Sequence, residues 1–122
     1  MSITLATAAK NAACDAIVDL LDVGGAGSLQ IGTAGFASVL ATLAFSNPAF
    51  GAAAAGTATA NAIADDINTS SGTAAAFRAR DHAGNTIFSG SVGVAAADIL
   101  FSSVAFSPGG KCSFSSLTLT VP

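Results

Sequence analysis

The chain has 122 residues, of which 52% are hydrophobic and only 9% are charged, and its formal net charge is −3. This length suits one domain with one modest core, so we expect a single domain over residues 1–122. Soluble domains carry about 25% charged residues, so much of this surface must be Ala, Gly, Ser and Thr. Such a surface gives a free monomer little electrostatic protection against association. The composition therefore favours a chain that works inside a protein assembly.

The charge and the hydropathy also exclude two classes of partner. The four basic residues, Lys10, Arg78, Arg80 and Lys111, are scattered, whereas nucleic-acid binding needs a basic patch. A membrane-spanning helix needs about 20 predominantly apolar residues in a row, and the richest stretch, residues 36–56, is repeatedly interrupted by polar residues. No charged leader precedes an apolar segment at the N-terminus. We expect no nucleic-acid partner, no membrane segment and synthesis in the cytoplasm.

A helical period runs through residues 4–23 and predicts one amphipathic helix. At about 100° per residue, the apolar side chains fall on one arc and three acidic side chains fall opposite, where we expect them to be solvated. Ser2 or Thr4 is the expected cap, and Gly24-Gly25 is the expected stop. The predicted buried arc consists of Ala6, Ala9, Ala13, Cys14, Ile17, Leu20 and Leu21, and the acidic side consists of Asp15, Asp19 and Asp22.

After the helix, the period changes to two and predicts short strands over residues 28–121. Leu29 and Ile31 alternate with polar residues. The next apolar set, which we expect on one face, is Val39, Ala41, Leu43 and Phe45. Asn47-Pro48 then breaks the strand, and a strand of small residues is expected around residues 57–60.

A β-hairpin gives the clearest local signal. Residues 74–81 alternate, with Phe77 on one face and Arg78 and Arg80 on the other. The cluster at residues 81–85 predicts a turn of about five residues before a return strand. Gly90 and Gly93 predict a bulge or bend in that strand.

The remaining pattern completes an all-β architecture. Residues 108–110 predict a tight turn, and residues 111–121 predict a last strand with a bulge at Ser115-Ser116. Together, about six to eight short strands with turns roughly every 8–12 residues are typical of an antiparallel β-sandwich. We therefore predict a mainly β fold, with a helix over residues 4–23 covering a sandwich over residues 28–121.

Few residues are suited to chemistry. His82 follows Asp81, but both lie in an exposed turn without a nucleophile, so we interpret them as solvated turn residues. Asp65, Asp66 and Asn68 resemble a fragment of a calcium loop, yet the spaced carboxylates and the bidentate Glu of such loops are missing. We predict no catalytic residue, no metal site and no cofactor.

Cys14 and Cys112 lack the spacing of metal ligands. The simplest interpretation is two small buried apolar side chains, because free cysteines are often buried. The alternative is a disulfide, within one chain or as a crosslink between neighbours, which needs an oxidising environment.

Two stretches are candidate contact surfaces. The Ala/Gly/Thr-rich region around residues 50–64 suits close approach of a neighbour, and its candidate contacts are Phe50, Ala54, Thr57 and Thr59. The second surface is the face that carries Arg78 and Arg80. We expect these arginines to pair with Asp81, with Asp98 or with acids of a neighbouring subunit, where desolvated pairs set specificity.

Three segments resemble small structural proteins of tailed bacteriophages and prophages. They are NPAFGAAAAGTATANAI (47–63), AFRARDHAGNTIFSGSVG (76–93) and SLTLTVP (116–122), and the opening helix is similar too. The resemblance covers most of the chain and implies a virion component. With the low charge, it favours a capsid decoration protein, whose partners would be copies of itself and the major capsid protein or other virion proteins.

Other functional classes remain as alternatives. A tail, collar or fibre-associated adhesion module is the second, although the chain has no Tyr or Trp to serve as an anchor. A pilin-like secreted subunit with a disulfide between Cys14 and Cys112 is more distant. An enzyme is the least favoured, because no residue constellation supports one.

Overall fold

One α-helix and nine strands make up the regular structure in a computed structural model, which describes residues 3–67, 69–95, 97–101, 103–113 and 117–120. The elements are α1 (Thr7–Asp19), β1 (Ser28–Gly32), β2 (Val39–Ala44), β3 (Thr57–Thr59), β4 (Gly72–Thr73), β5 (Ala76–Arg80), β6 (Thr86–Gly93), β7 (Ile99–Leu100), β8 (Ala105–Phe106) and β9 (Thr118–Thr120), with 3₁₀ turns at Leu20–Asp22 and Ala34–Phe36. The mainly β class with one N-terminal helix is confirmed. No helix within these ranges is long and apolar enough to cross a membrane.

The main sheet has five strands in the order β2-β1-β5-β6-β7, and only β7 runs parallel to its neighbour. One cross-strand row joins Leu43, Leu29, Ala79 and Phe88 on the inner face. The first three of these side chains are fully buried. The next row, Thr42, Gln30, Arg78 and Ser89, lies on the outer face because successive side chains of a strand alternate.

Two short antiparallel ladders, β3-β9 and β4-β8, accompany the main sheet. The buried apolar residues form one cluster that draws on α1, the main sheet and β3. The sandwich arrangement itself stays a prediction. The predicted hairpin is present, and Asp81 and Asn85 close its turn through a backbone hydrogen bond of 2.9 Å. The predicted turn at residues 108–110 is also present.

Two bulges displace the alternation that the sequence predicts. A register shift between Ile31 and Gly32, opposite the start of β2, leaves Leu40 buried and Val39 exposed, so the prediction that Val39 shares the buried face was wrong. The second bulge lies between Ala79 and Arg80 rather than at Gly90. Gly90 has a different role, because a Cβ there would stand 2.6 Å from the Phe77 ring. The proposed bulge at Ser115-Ser116 lies outside the described residues.

The edge of the sheet at β2 is covered by residues 63–67 and 69–70. The Thr42 N–H donates to Asp66 Oδ2 at 2.8 Å, and the Ser70 N–H donates to the Leu40 carbonyl at 2.9 Å. Phe45 and Ile63 form an isolated bridge on the same side. Because these contacts use backbone groups of an edge strand, they block pairing with another chain along β2.

The helix begins later and buries a narrower stripe than the sequence predicts. Its N-cap is Ala6, without a side-chain hydrogen bond, so capping by Thr4 is wrong, and Ser2 lies outside the described residues. The buried positions are Cys14, Val18 and Leu21, whereas Leu20 is 49% exposed. Ala6 and Ala9 are also exposed. The helix therefore packs through an i, i+4, i+7 stripe instead of a wide arc.

Asn11 and Asp15 of α1 and Asp22 of the 3₁₀ turn that follows it bind the backbone of residues 49–56. Asp15 Oδ1 accepts a hydrogen bond from the Ala53 N–H and Asp22 Oδ1 accepts one from the Ala49 N–H, both at 2.8 Å. Asn11 Oδ1 accepts one from the Gly56 N–H at the same distance. The spacings of four and seven residues place all three on one helix face. The prediction that Asp15 and Asp22 are solvated was therefore wrong, while Asp19 is exposed as expected.

The small residues of this segment let its backbone approach the helix. Ala54 and Thr57 exchange two backbone hydrogen bonds of 2.9 Å around Ala55 and Gly56, whose φ angles are 52° and 76°. Two positive φ values define a type I′ turn, which reverses the chain directly into β3. The sequence predicted that these small residues allow a neighbouring subunit to approach closely. On this side of the segment, the chain's own helix approaches instead.

We predict that Asp15→Ala lowers the free energy of unfolding by about 1.5–3 kcal/mol, because a hydrogen bond to a charged acceptor is lost and the Ala53 N–H is left unpaired. Asp19→Ala is the matched control, since its side chain is exposed on the same helix, and it should change the free energy by about 0.5 kcal/mol or less. Urea denaturation measures both. Equal effects of the two substitutions would contradict a specific role for Asp15.

Candidate functional site

Two arginines and one glutamine meet on the outer face of the main sheet. Gln30 on β1 lies directly opposite Arg78 on β5, and Arg80 is its diagonal neighbour. Cross-strand and diagonal neighbours on one face are close enough for long side chains to interact. The register of β1 against β5 therefore brings both guanidinium groups to one amide.

The two arginines share the same acceptor. Arg78 Nε donates to Gln30 Oε1 at 2.8 Å, and Arg80 Nη1 donates to that oxygen at 3.1 Å. Arg80 also donates from Nε and Nη2 to the carbonyl of Gly84, at 2.9 and 2.8 Å. All of these acceptors are neutral, so the hydrogen bonds orient the guanidinium groups without neutralising them.

Phe36 completes this surface, which we call the arginine face (Gln30, Phe36, Arg78 and Arg80). The Arg78 Cζ lies 4.3 Å from the centre of the Phe36 ring, a cation–π contact. Phe36 has φ of 54°, which is uncommon for a bulky residue and marks local strain. Its ring lies over Gly32, where an added Cβ would be only 2.4 Å from Phe36 Cδ1. The missing side chain of Gly32 thus makes room for the ring beneath Arg78.

Carboxylates do not compensate this charge in the described part of the chain. The ion pair found there joins Lys111 to Asp65 at 3.3 Å. Asp81 instead accepts hydrogen bonds from Asn85, which lower its pKa, and Asp98 accepts them from Ser91. The expectation that Arg78 and Arg80 pair with Asp81 or Asp98 was therefore wrong. The arginines donate to the neutral acceptors of Gln30 and Gly84, and the two acids accept hydrogen bonds from Asn85 and Ser91.

Most of the chain's acids are engaged by its own donors. Of the seven acidic residues, six have such a contact: Asp15, Asp22, Asp65, Asp66, Asp81 and Asp98. A chain with a net charge of −3 thus presents a local positive face. That face is arranged to accept an anionic group, because the planar guanidinium is suited to bidentate carboxylate binding.

The other predicted contact residues do not gather into one surface. Phe50 is 5% exposed, and its ring packs 5.9 Å from that of Phe45 and 6.5 Å from that of Phe88. It is a core residue, so its use as an interface contact was wrong. Ala54 and Thr59 are exposed, whereas Thr57 is half-buried and its Oγ1 lies 2.9 Å from that of Thr120.

The residues considered for chemistry are dispersed. His82 is exposed, and its Nδ1 lies 3.2 Å from the Ala26 carbonyl oxygen. Asp65 and Asp66 contact Lys111 and the Thr42 N–H respectively, and Asn68 lies outside the described residues. Among the described residues, no three His, Cys, Asp or Glu side chains are grouped to hold a metal ion.

Both cysteines are free, buried thiols. The Cys14 Sγ–H donates to the Leu119 carbonyl at 3.4 Å, whereas Cys112 forms an isolated bridge with Asp66. Burial, together with the nearby Asp66 and Asp65, raises the pKa of Cys112 to about 11. The structure thus favours the interpretation as buried apolar side chains, and crosslinking stays a hypothesis that requires a buried thiol to become accessible.

Gln30 and Phe36 are the site residues that sequence reasoning missed. The alternation of β1 placed Gln30 on the polar face, but only the pairing with β5 shows that it faces Arg78. The strand-ending run Gly32-Thr-Ala-Gly-Phe36 signals a turn. Nothing in that run indicates that the Phe36 ring folds back over Gly32 toward an arginine.

No family model matches the chain, and no significant similarity to a curated protein or to a solved structure was found.

We predict that iodoacetamide at pH 8 modifies the native protein very slowly and modifies two thiols per chain in urea. With a pKa of about 11, Cys112 is a thiolate in only about one molecule in a thousand at pH 8. Because folding raises this pKa above its ordinary value of 9.0, the thiol's contribution to stability is present below pH 9 and is lost as the pH rises toward 11.

Mass spectrometry of the alkylated protein measures both states. Fast modification of one native thiol would contradict the burial of that residue. A non-reducing gel of the assembled material provides the control, and only a monomer band would exclude the crosslinking hypothesis.

Proposed function

We propose that the protein is a structural subunit of a bacteriophage virion, most specifically a capsid decoration protein. In this proposal it binds the head surface through protein–protein contacts and stabilises the lattice by adding buried area. Its partners are copies of itself and the major capsid protein. The main support for a contact function is the arginine face, in which neutral acceptors hold two oriented guanidinium groups.

The arginine face favours a partner that supplies carboxylates. A guanidinium that is already oriented loses less side-chain entropy on binding, and charge complementarity at an interface sets specificity and orientation. Six of the chain's seven acids are held by donors of their own chain, so a second copy has few carboxylates that could turn toward these arginines without giving up a contact. The complementary acids therefore belong to a different protein, as attachment to a capsid lattice requires.

The virion assignment rests on the resemblance of residues 47–63, 76–93 and 116–122 to phage structural proteins, together with the low charge. Only 9% of the residues are charged, so few charges need to be desolvated where neighbours cover the surface.

The first test is the copy number of this chain in purified particles. We expect quantitative mass spectrometry to give a number equal to that of the major capsid protein, or a simple fraction of it, because decoration proteins follow the lattice. A few copies up to a few dozen would place the chain at the collar, the tail or a fibre. Absence from particles would reject the virion proposal.

The second test concerns the arginine face. We predict that Arg78→Gln combined with Arg80→Gln lowers the affinity for particles by about tenfold or more, because each charged interfacial hydrogen bond contributes about 1.5–3 kcal/mol. Lys111→Gln is the matched control, since it removes a positive charge from an exposed side chain elsewhere. Cosedimentation with particles that lack the protein measures binding, and equal losses for both changes would contradict a specific arginine contact.

A further inference from the structure

A cavity of about 320 Å³ with a mixed polar and apolar lining lies beside the main sheet, between β6, β7 and β9. Its apolar lining comes from Phe77, Phe88, Ile99, Leu117 and Leu119. Its polar lining comes from Ser89 of β6, from Asp98, and from Thr118 and Thr120 of β9, so two strands from different sheets border the same space.

The backbone of β6 points its hydrogen-bonding groups into this space at Ser89. The Val92 N–H donates to the Ala75 carbonyl, so the backbone groups of Val92 point toward β5. Because this direction alternates along a strand, the backbone groups of Gly90 and Phe88 also point toward β5. Ser89 and Ser91 therefore direct theirs to the opposite edge. Asp98 Oδ2 accepts the Ser91 N–H at 2.9 Å, and β7 covers the edge from Val92 onward. Ser89 lies before the part of β6 that pairs with β7.

The backbone of β9 has the same arrangement. The Ala60 N–H donates to the Leu117 carbonyl at 2.7 Å, so Leu117 and Leu119 direct their backbone groups toward β3. Thr118 and Thr120 therefore direct theirs away from β3. Both residues line the cavity. An extended segment in this space would meet strand-edge groups from β6 and β9 and an apolar floor.

The chain itself carries a segment of the matching chemistry. Residues 3–6, which we call the arm, read Ile-Thr-Leu-Ala and precede α1. Ile3 is 90% exposed, Leu5 is 41% exposed, and Ala6 has the extended backbone angles φ −66° and ψ 154°. Alternate apolar residues in an extended segment place Ile3 and Leu5 on one face. The arm therefore exposes apolar side chains that burial in such a cavity would remove from water.

We propose that the arm of one copy adds as a strand to the cavity of a second copy, between β6 and β9. Strand addition of this kind uses main-chain hydrogen bonds for binding and side-chain pockets for specificity. The arm is uncharged, and the Asp98 carboxylate at the cavity already accepts hydrogen bonds from the N–H and the hydroxyl of Ser91. Asp98 has no cationic partner in the described part of the chain, so covering it costs free energy and limits the strength of the exchange.

The arm and the cavity are different surfaces of the same chain. Two copies can therefore exchange arms reciprocally as a closed dimer, or one-way contacts can extend into rings or rows of copies. The arm is short, so its binding is weak between free molecules and strengthens when neighbouring copies are held close together. The inference is independent of the arginine face and of the virion proposal.

Sedimentation equilibrium over a wide range of protein concentration tests the exchange. We expect the wild-type chain to associate and Ile3→Asp to weaken that association by about tenfold or more, since it replaces an apolar contact with a carboxylate in a cavity that Asp98 already lines. Thr4→Asp is the matched control, because it introduces the same charge one residue away on the opposite face of the arm. It should change the association less than about twofold. Ile3 is exposed, so Ile3→Asp leaves the core unchanged.

Ser89→Pro tests the cavity side. Ser89 is exposed and its N–H points away from β5, so proline at this edge position removes a donor from the cavity and leaves the β5–β6 ladder intact. We expect the same loss of association with an unchanged circular dichroism spectrum. A fluorescent peptide of residues 2–10 should bind a chain that lacks residues 1–5 and should not bind its Ser89→Pro form.

Three results would overturn the proposal. The first is a wild-type chain that stays monomeric at every concentration. The second is equal effects of Ile3→Asp and Thr4→Asp on association. The third is an Ile3→Asp chain that unfolds more easily while its state of association is unchanged, which would place the arm in the cavity of its own chain.

Discussion

The hydrogen bonds between the helix and the backbone of residues 49–56 are the constraint on which much of the fold depends. This segment has few side chains able to hold it, so its position is set by Asn11, Asp15 and Asp22. Once the segment is docked, the turn at Ala55-Gly56 directs β3 toward β9, and Phe50 enters the core against Phe45 and Phe88. A helix with only a narrow buried stripe thereby becomes part of a stable fold.

The same hydrogen bonds shape the electrostatics. Acids that bind backbone N–H groups are held in place by those contacts and do not pair with Arg78 or Arg80. The arginines in turn are oriented by Gln30 and by the carbonyl of Gly84, which carry no charge. A weakly charged, net acidic chain thus retains a defined positive face. The positive face therefore results from which donors hold the carboxylates, and not from the number of basic residues.

The two proposed contact surfaces differ in chemistry. The arginine face is polar, lies on the outer side of β1 and β5, and suits an acidic partner. The cavity between β6 and β9 has a mixed polar and apolar lining, borders two strand edges and suits an extended, uncharged segment. A protein that attaches to a different protein through one surface and links to its own copies through another would form a layer. This division agrees with the proposed decoration role.

The sequence by itself determined the mainly β class, the N-terminal helix, the hairpin around residues 81–85 and the turn at residues 108–110, because these depend on local periodicity and on turn-forming residues. It also placed Arg78 and Arg80 on the outer face. The tertiary structure decided that Asp15 and Asp22 bind the backbone, that Phe50 is buried, and that Gln30 and Phe36 join the arginines. These features depend on strand register, on bulges and on segments that are distant along the chain. A periodic pattern shows which face a residue occupies, but only the packed chain shows what that face meets.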